Sequence, residues 1–191
     1  MIGIGLKKCD KEAIEELMQL EFLKEAANVI LCGPSGVGKT TIASNLAHQA
    51  VIQGYDALFT TAGAMITSLT SQDGENAFRR RIKYYLKPRL LCIDEVGYLS
   101  YTNRAADLLF EIISKRQHHQ STIVTTNKPF TEWNSLFANA SCVVALIDRL
   151  VHKSEIISID GDSYRLKEAQ EKAQARKEAR SKKKAIKKLS Q

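Results

Sequence analysis

Gly33-Pro34-Ser35-Gly36-Val37-Gly38-Lys39-Thr40, with Thr41 behind it, is the stretch that decides the fold. The apolar run Val29-Ile30-Leu31-Cys32 precedes it and reads as a buried strand, and Ile42-Ala43-Ser44-Asn45-Leu46-Ala47 follows it and reads as a helix. Strand, glycine loop and helix form the context in which G-x-x-x-x-G-K-[ST] marks a phosphate site. Glycines let the backbone curl so that consecutive N–H groups point inward as an anion nest. The helix N-terminus adds its positive dipole end. Lys39 is placed to reach the β- and γ-phosphates and the Thr40 hydroxyl to hold Mg²⁺, so the stretch implies a nucleoside triphosphate with Mg²⁺.

Working outward, the chain has 191 residues, enough for one α/β domain with a sizeable core and an appendage. No apolar run approaches the roughly 18 residues of a membrane span, and the start lacks the build of a secretory signal. The cysteines at 9, 32, 92 and 142 are too far apart for a metal-ligand pattern or a disulfide framework. They read as buried apolar residues of a reducing cytoplasm. The formal charge of +7 is lopsided: residues 168–191 hold nine Lys/Arg against three Asp/Glu, leaving the body nearly neutral.

Strand candidates at Asn28–Cys32, Asp56–Thr61, Leu90–Asp94, Ser121–Thr125 and Glu155–Ile159 alternate with helical patterns. That alternation predicts a doubly covered parallel sheet. Residues 11–24 carry the helical stripe Ile14, Leu17, Met18, Leu20 and Leu23, with Asp10 as N-cap. Between Thr102 and Gln117, Ala105, Leu108, Leu109, Ile112 and Ile113 form one helix face, and Arg104, Asp107, Glu111 and Lys115 the other. From Lys167 onward apolar residues nearly vanish, which predicts a basic tail, a solvated helix or a disordered segment. The expected organisation is a short helical segment over 1–27, an ATPase core over 28–167 and the tail over 168–191.

A phosphate loop needs a metal carboxylate, and the apolar strand Leu90-Leu91-Cys92-Ile93 ends in Asp94-Glu95. Asp94 suits Mg²⁺ held through water, and Glu95 suits a general base that polarises the attacking water. The adjacent acids favour hydrolysis over transfer to a small metabolite. Asn127, at the end of the next strand, fits either water orientation or an Asx turn before Pro129. Judged singly, Arg149 and Arg165 read as surface ion pairs or as γ-phosphate ligands, one of them reaching in from a neighbouring subunit.

Two regions read as nucleic-acid-facing. Residues 78–89 interleave basic and aromatic side chains, including Arg79, Arg80, Lys83 and Lys87. Arg79, Lys83 and Lys87 share one face, where like charges repel unless an anion answers them. Residues 96–104, with Tyr98, Tyr101 and Arg104, follow Glu95 at the catalytic end of the sheet. A solvated helix face is the plain alternative for the first region, and tail lysines add salt-sensitive DNA affinity or only solubility.

In order, Gly-Pro-Ser-Gly-Val-Gly-Lys-Thr, Cys-Ile-Asp-Glu-Val-Gly-Tyr-Leu-Ser-Tyr, Thr-Thr-Asn-Lys-Pro-Phe-Thr-Glu-Trp-Asn, Ile-Asp-Arg-Leu-Val-His and Asp-Ser-Tyr-Arg-Leu-Lys resemble the IstB family over about residues 10–168. These are AAA+ helper ATPases of insertion-sequence transposition, related to the DnaC helicase loaders. The resemblance implies a three-layer α/β core with a five-stranded parallel sheet of order 5-1-4-3-2 and ATP bound between subunits. By motif match, Asn127 is similar to the sensor-1 residue, Arg149 to the arginine finger and Arg165 to the sensor-2 arginine. It also implies an ATP-dependent oligomer that binds and bends duplex DNA and recruits a cognate transposase. Family members usually carry a longer region ahead of the core, and only 27 residues precede Asn28 here. That region serves oligomerisation and partner contact in the family, so the expectation is a truncated copy or a fragment, with both left open. A helicase loader, a passive DNA-binding module relying on the tail, and a small-metabolite kinase are the competing readings.

Overall fold

In a computed structural model, residues 6–8, 11–98, 102–137, 140–161, 163 and 172–174 are described. Cys9, Asp10, Tyr101, Arg165 and nearly all of the basic tail lie outside them. The strands are β1 (Leu6–Lys8), β2 (Asn28–Cys32), β3 (Ala57–Thr61), β4 (Leu90–Val96), β5 (Ser121–Thr126) and β6 (Ser154–Ser158). The helices are α1 (Lys11–Met18), α2 (Glu21–Lys24), α3 (Lys39–Ile52), α4 (Ala62–Thr70), α5 (Glu75–Leu86), α6 (Asn103–Arg116), α7 (Trp133–Leu136) and α8 (Ala140–Val151).

All strands pair in parallel in the order β1-β6-β2-β5-β4-β3. The last five give the expected order 5-1-4-3-2. The sixth strand, β1, was not expected: it adds to the edge of β6 with Leu6 opposite Ile156. At three residues it is too short for strand alternation to show in the sequence.

The middle residues of the central strands are apolar because each of those side chains has a core to enter. Ile30, Leu91, Ile93, Val124 and Ile156 pack beneath α4, α5, α6 and α8. Val29, Leu31, Leu90, Cys92, Ile123 and Ile157 pack beneath α1, α2 and α3. Side chains of period two thus feed two layers, as a doubly covered sheet requires. No helix among the described residues is long and apolar enough to cross a membrane.

The stripe over 11–24 is not one helix. The chain breaks at Leu20, which sits at φ 60°. In a single straight helix Phe22 would project about 140° around the axis from Leu17. The break brings Leu17, Leu20, Phe22 and Leu23 all into the same core. Burying four large side chains outweighs one left-handed leucine, which costs about 1–2 kcal/mol. The cysteines also differ from expectation: Cys92 is buried, whereas Cys32 and Cys142 are only partly so.

Two buried polar side chains tie the strand-start edge together. Asn28 donates Nδ2–H to the Leu150 carbonyl at 3.2 Å and accepts from the Thr122 N–H at 3.0 Å. Arg116, 0% exposed, continues the apolar stripe of α6. Its guanidinium donates to the carbonyls of Tyr85, Pro88 and Ser121 at 2.9, 3.0 and 2.7 Å and to the Thr122 hydroxyl at 3.1 Å. Burial pushes its pKa down to about 10, so the group is still charged at neutral pH and is held by neutral oxygens. Arg116→Ala should therefore cost about 3 kcal/mol, because it strands several buried acceptors. Its exposed neighbour Lys115, paired with Glu111 at 2.6 Å, should change by less than about 1 kcal/mol on truncation. Urea unfolding of the two variants checks both.

Candidate functional site

Parallel connection sends the C-terminal ends of β2, β4 and β5 to one edge of the sheet, where Lys39, Thr40, Asp94, Glu95 and Asn127 lie. A cleft of about 510 Å³ is lined by Ser35 to Ile42 and by Glu95, Tyr98, Thr125, Thr126 and Asn127. The phosphate loop is its floor, and α3 opens from it at Lys39.

Close approach explains the glycines. A Cβ on Gly33 would lie 2.1 Å from the Ile159 carbonyl oxygen, because the chain leaving β6 crosses directly over the loop. Gly36 has φ 87°, and a Cβ there would meet the Ser163 hydroxyl at 2.2 Å. Lys39 donates Nζ–H to the carbonyls of Gly33 and Pro34, both at 2.7 Å. The ammonium is thus stored against the loop it would serve.

Thr40 and the acid pair adjoin. The Thr40 hydroxyl donates to Asp94 Oδ1 at 3.2 Å, and the Thr125 hydroxyl donates to the same oxygen at 2.5 Å. Asp94 is 4% exposed, so its buried oxygens need donors such as these. Glu95 is exposed at φ 61° and lines the cleft. A hydroxyl beside a carboxylate is a hard oxygen donor set, which fits Mg²⁺, an ion that takes one or two carboxylates together with substrate phosphates.

Asn127 lines the same cleft as Glu95. The turn toward Pro129 is closed by Thr126 instead, whose hydroxyl accepts the Lys128 N–H and donates to the Lys128 carbonyl, each at 3.1 Å. Cys32, just before the loop, stays a thiol because burial raises its pKa against the opposing pull of Lys39. Tyr98 is 65% exposed at the cleft margin.

Arg149 is elsewhere. It lies near the end of α8, at the strand-start edge, and donates to Gln117 Oε1 at 3.0 Å. The five residues of β2 put about 16 Å of strand between that edge and the phosphate loop. Of the basic positions on α5, Arg79 is paired with Glu75 at 2.5 Å, so part of the anticipated repulsion is answered within the helix. Arg80, Lys83, Lys87 and Arg104 are exposed. The sequence reading missed Thr125 and Thr126, both buried at the cleft; two hydroxyls directly after the apolar pair Ile123-Val124, at the strand end nearest the loop, were the available signal.

The description "IstB-like ATP binding protein" belongs to the sequence family that matches residues 6–173. The chain is 38% identical over 159 residues to an insertion-sequence IS21 protein of Pseudomonas aeruginosa named for ATP binding, covering 83% of this chain and 60% of that protein. It is 36% identical over 159 residues to the corresponding IS5376 protein of Geobacillus stearothermophilus, covering 83% and 63%. The chain therefore spans about three fifths of the length of these curated relatives. Among solved structures, the DnaC helicase loader superposes with a TM-score of 0.63 at 20% identity, covering 78% of this chain and 87% of that one, a likeness of fold. Gly33→Ala should lower stability by about 2 kcal/mol, since backbone meets backbone and neither side can rotate away. It should also weaken ATP binding; thermal unfolding with and without ATP measures the two together.

Proposed function

The chain belongs to the family of IstB-like ATP-binding proteins, and from that premise we propose that it hydrolyses ATP as a helper of insertion-sequence transposition. The observation that supports this best is the convergence of Lys39, Thr40, Asp94, Glu95 and Asn127 on one cleft. The loop N–H groups and the α3 N-terminus would bind the triphosphate, with Lys39 leaving its two carbonyls for the β- and γ-phosphates. Thr40 and Asp94 would hold Mg²⁺, which when bound supplies charge neutralisation at the phosphates. Thr40 is arranged to keep its O–H on Asp94 while offering a lone pair. Glu95 would take the proton of the attacking water, and Asn127 would orient that water.

Arg149 cannot serve its own cleft from the strand-start edge. The reading that fits is a head-to-tail assembly in which this edge of one subunit faces the cleft of the next. Arg165, outside the described residues, is proposed for the γ-phosphate by its place in the sequence motif alone. Duplex DNA is the proposed cargo, met by the exposed cations of α5 and by Tyr98 and Arg104 beside the cleft, with Tyr101 and the basic tail as further candidates. A cognate transposase is the proposed partner and the cytoplasm the proposed compartment.

Glu95→Gln should bind ATP as well as the wild type and lose at least about 100-fold in turnover. Equal turnover would remove Glu95 from the mechanism. Arg149→Ala should keep ATP binding and fall by about 10³-fold in hydrolysis, with activity restored on mixing with Lys39→Ala subunits. Failure of the mixture to recover would place Arg149 outside a shared site. Electron microscopy with ATP and duplex DNA tests the assembly: DNA-wrapped rings or filaments are expected, and monomers on or off DNA would overturn it.

A further inference from the structure

The two acids of β4 do not sit in a regular strand. Ile93 pairs with Val124 and Val96 with Thr126, so Asp94 and Glu95 together face Thr125 alone. This is a β-bulge, a device that re-aims side chains next to sites. In an unbroken strand, consecutive side chains point to opposite faces, and Asp94 and Glu95 would be separated by the sheet. The extra residue and the left-handed Glu95 (φ 61°) put one acid against Thr40 and the other on the cleft wall.

A bulge removes ladder partners from the backbone it displaces, and those groups must be satisfied in another way. The Thr125 hydroxyl does this. It accepts the Glu95 N–H at 3.0 Å and donates its own hydrogen to Asp94 Oδ1 at 2.5 Å. The direction is fixed by chemistry, because a carboxylate can only accept and an amide can only donate. A single hydroxyl therefore grips the side chain of one acid and the backbone of the other. Both Thr125 and Thr40 land on Oδ1, and none of the described donors engages Oδ2. Oδ1 is thereby anchored and the plane of the carboxylate set.

We propose that Thr125 is the positioning residue of the acid pair: its hydroxyl holds the bulge that aims Glu95 into the cleft and orients Asp94 beside Thr40. The proposal builds on the hydrolysis reading, and it names a residue one strand away from both acids. Thr122, on the same strand, makes the contrast. Its hydroxyl accepts from Arg116 Nε at 3.1 Å and braces the strand-start edge, so it affects stability without touching the acids.

Thr125→Val keeps the shape and branching and loses both hydrogen bonds, whereas Thr125→Ser keeps the hydroxyl. Amide hydrogen exchange on the nucleotide-free protein reads the positioning directly. The Glu95 amide should exchange at least about tenfold faster in Thr125→Val, with Ile93 and Val124 unchanged and Thr125→Ser like the wild type. In steady-state ATP hydrolysis, Thr125→Val should lose about 100-fold in kcat with KM for ATP within about threefold, and Thr125→Ser should recover most of it. Unchanged Glu95 exchange in Thr125→Val overturns the proposal, as does wild-type kcat. Equal loss of kcat in Thr125→Val and Thr125→Ser also overturns it. If the wild type itself fails to turn over ATP, the hydrolysis reading falls, and the exchange rates still decide whether Thr125 holds Glu95.

Discussion

The parallel pairing of β2 with β5 on one side and β6 on the other is the constraint from which the rest follows. It extends one step past the strands: the Gly33 N–H donates to the Thr126 carbonyl at 3.2 Å and the Ile159 N–H to the Cys32 carbonyl at 2.7 Å. These two bonds seat the root of the phosphate loop between its neighbours. Because every strand runs the same way, every helix must return outside the sheet, and all strand ends open on one edge. Residues far apart in the chain then meet without any being individually selected to do so.

Charge is handled differently at the two edges. At the cleft edge the buried carboxylate of Asp94 is held by two hydroxyls, one of them on a residue of the phosphate loop. At the strand-start edge the buried cation of Arg116 is surrounded by carbonyl oxygens and closes the structure. A buried charge with neutral partners is costly to form and more costly to break. One edge stays able to exchange partners and the other is fixed.

The sequence carried the phosphate loop because its chemistry is local: glycines, lysine and threonine in consecutive places need no knowledge of the rest of the chain. The strands at 28 and 90 were legible because burial on both faces leaves an apolar run, Val29–Cys32 and Leu90–Ile93, and the one at 121 because it centres on Ile123-Val124 among β-branched threonines. Arg116 was not recognised, yet it repeats the spacing of Ala105, Leu108, Leu109, Ile112 and Ile113 by falling three residues beyond Ile113. A charged residue in register with an apolar stripe is a sign of a buried, satisfied group. The bulge at Asp94-Glu95 left no such sign, because it exists only in the register between β4 and β5. The break at Leu20 and the edge strand β1 were hidden for the same reason, both being set by contacts remote in the chain.

The passage of Ile159 over Gly33 has a consequence for the order of events during synthesis. The loop is complete as sequence once Thr41 has been made, but its seat includes the backbone of Ile159, 118 residues further on. Sheets that depend on such distant pairings form late, after the entropy of closing long loops has been met. A chain emerging from the ribosome would therefore expose a glycine-rich segment with no fixed shape until its last strand arrived. Competence to hold a nucleotide is on this account a late and all-at-once acquisition of the growing polypeptide.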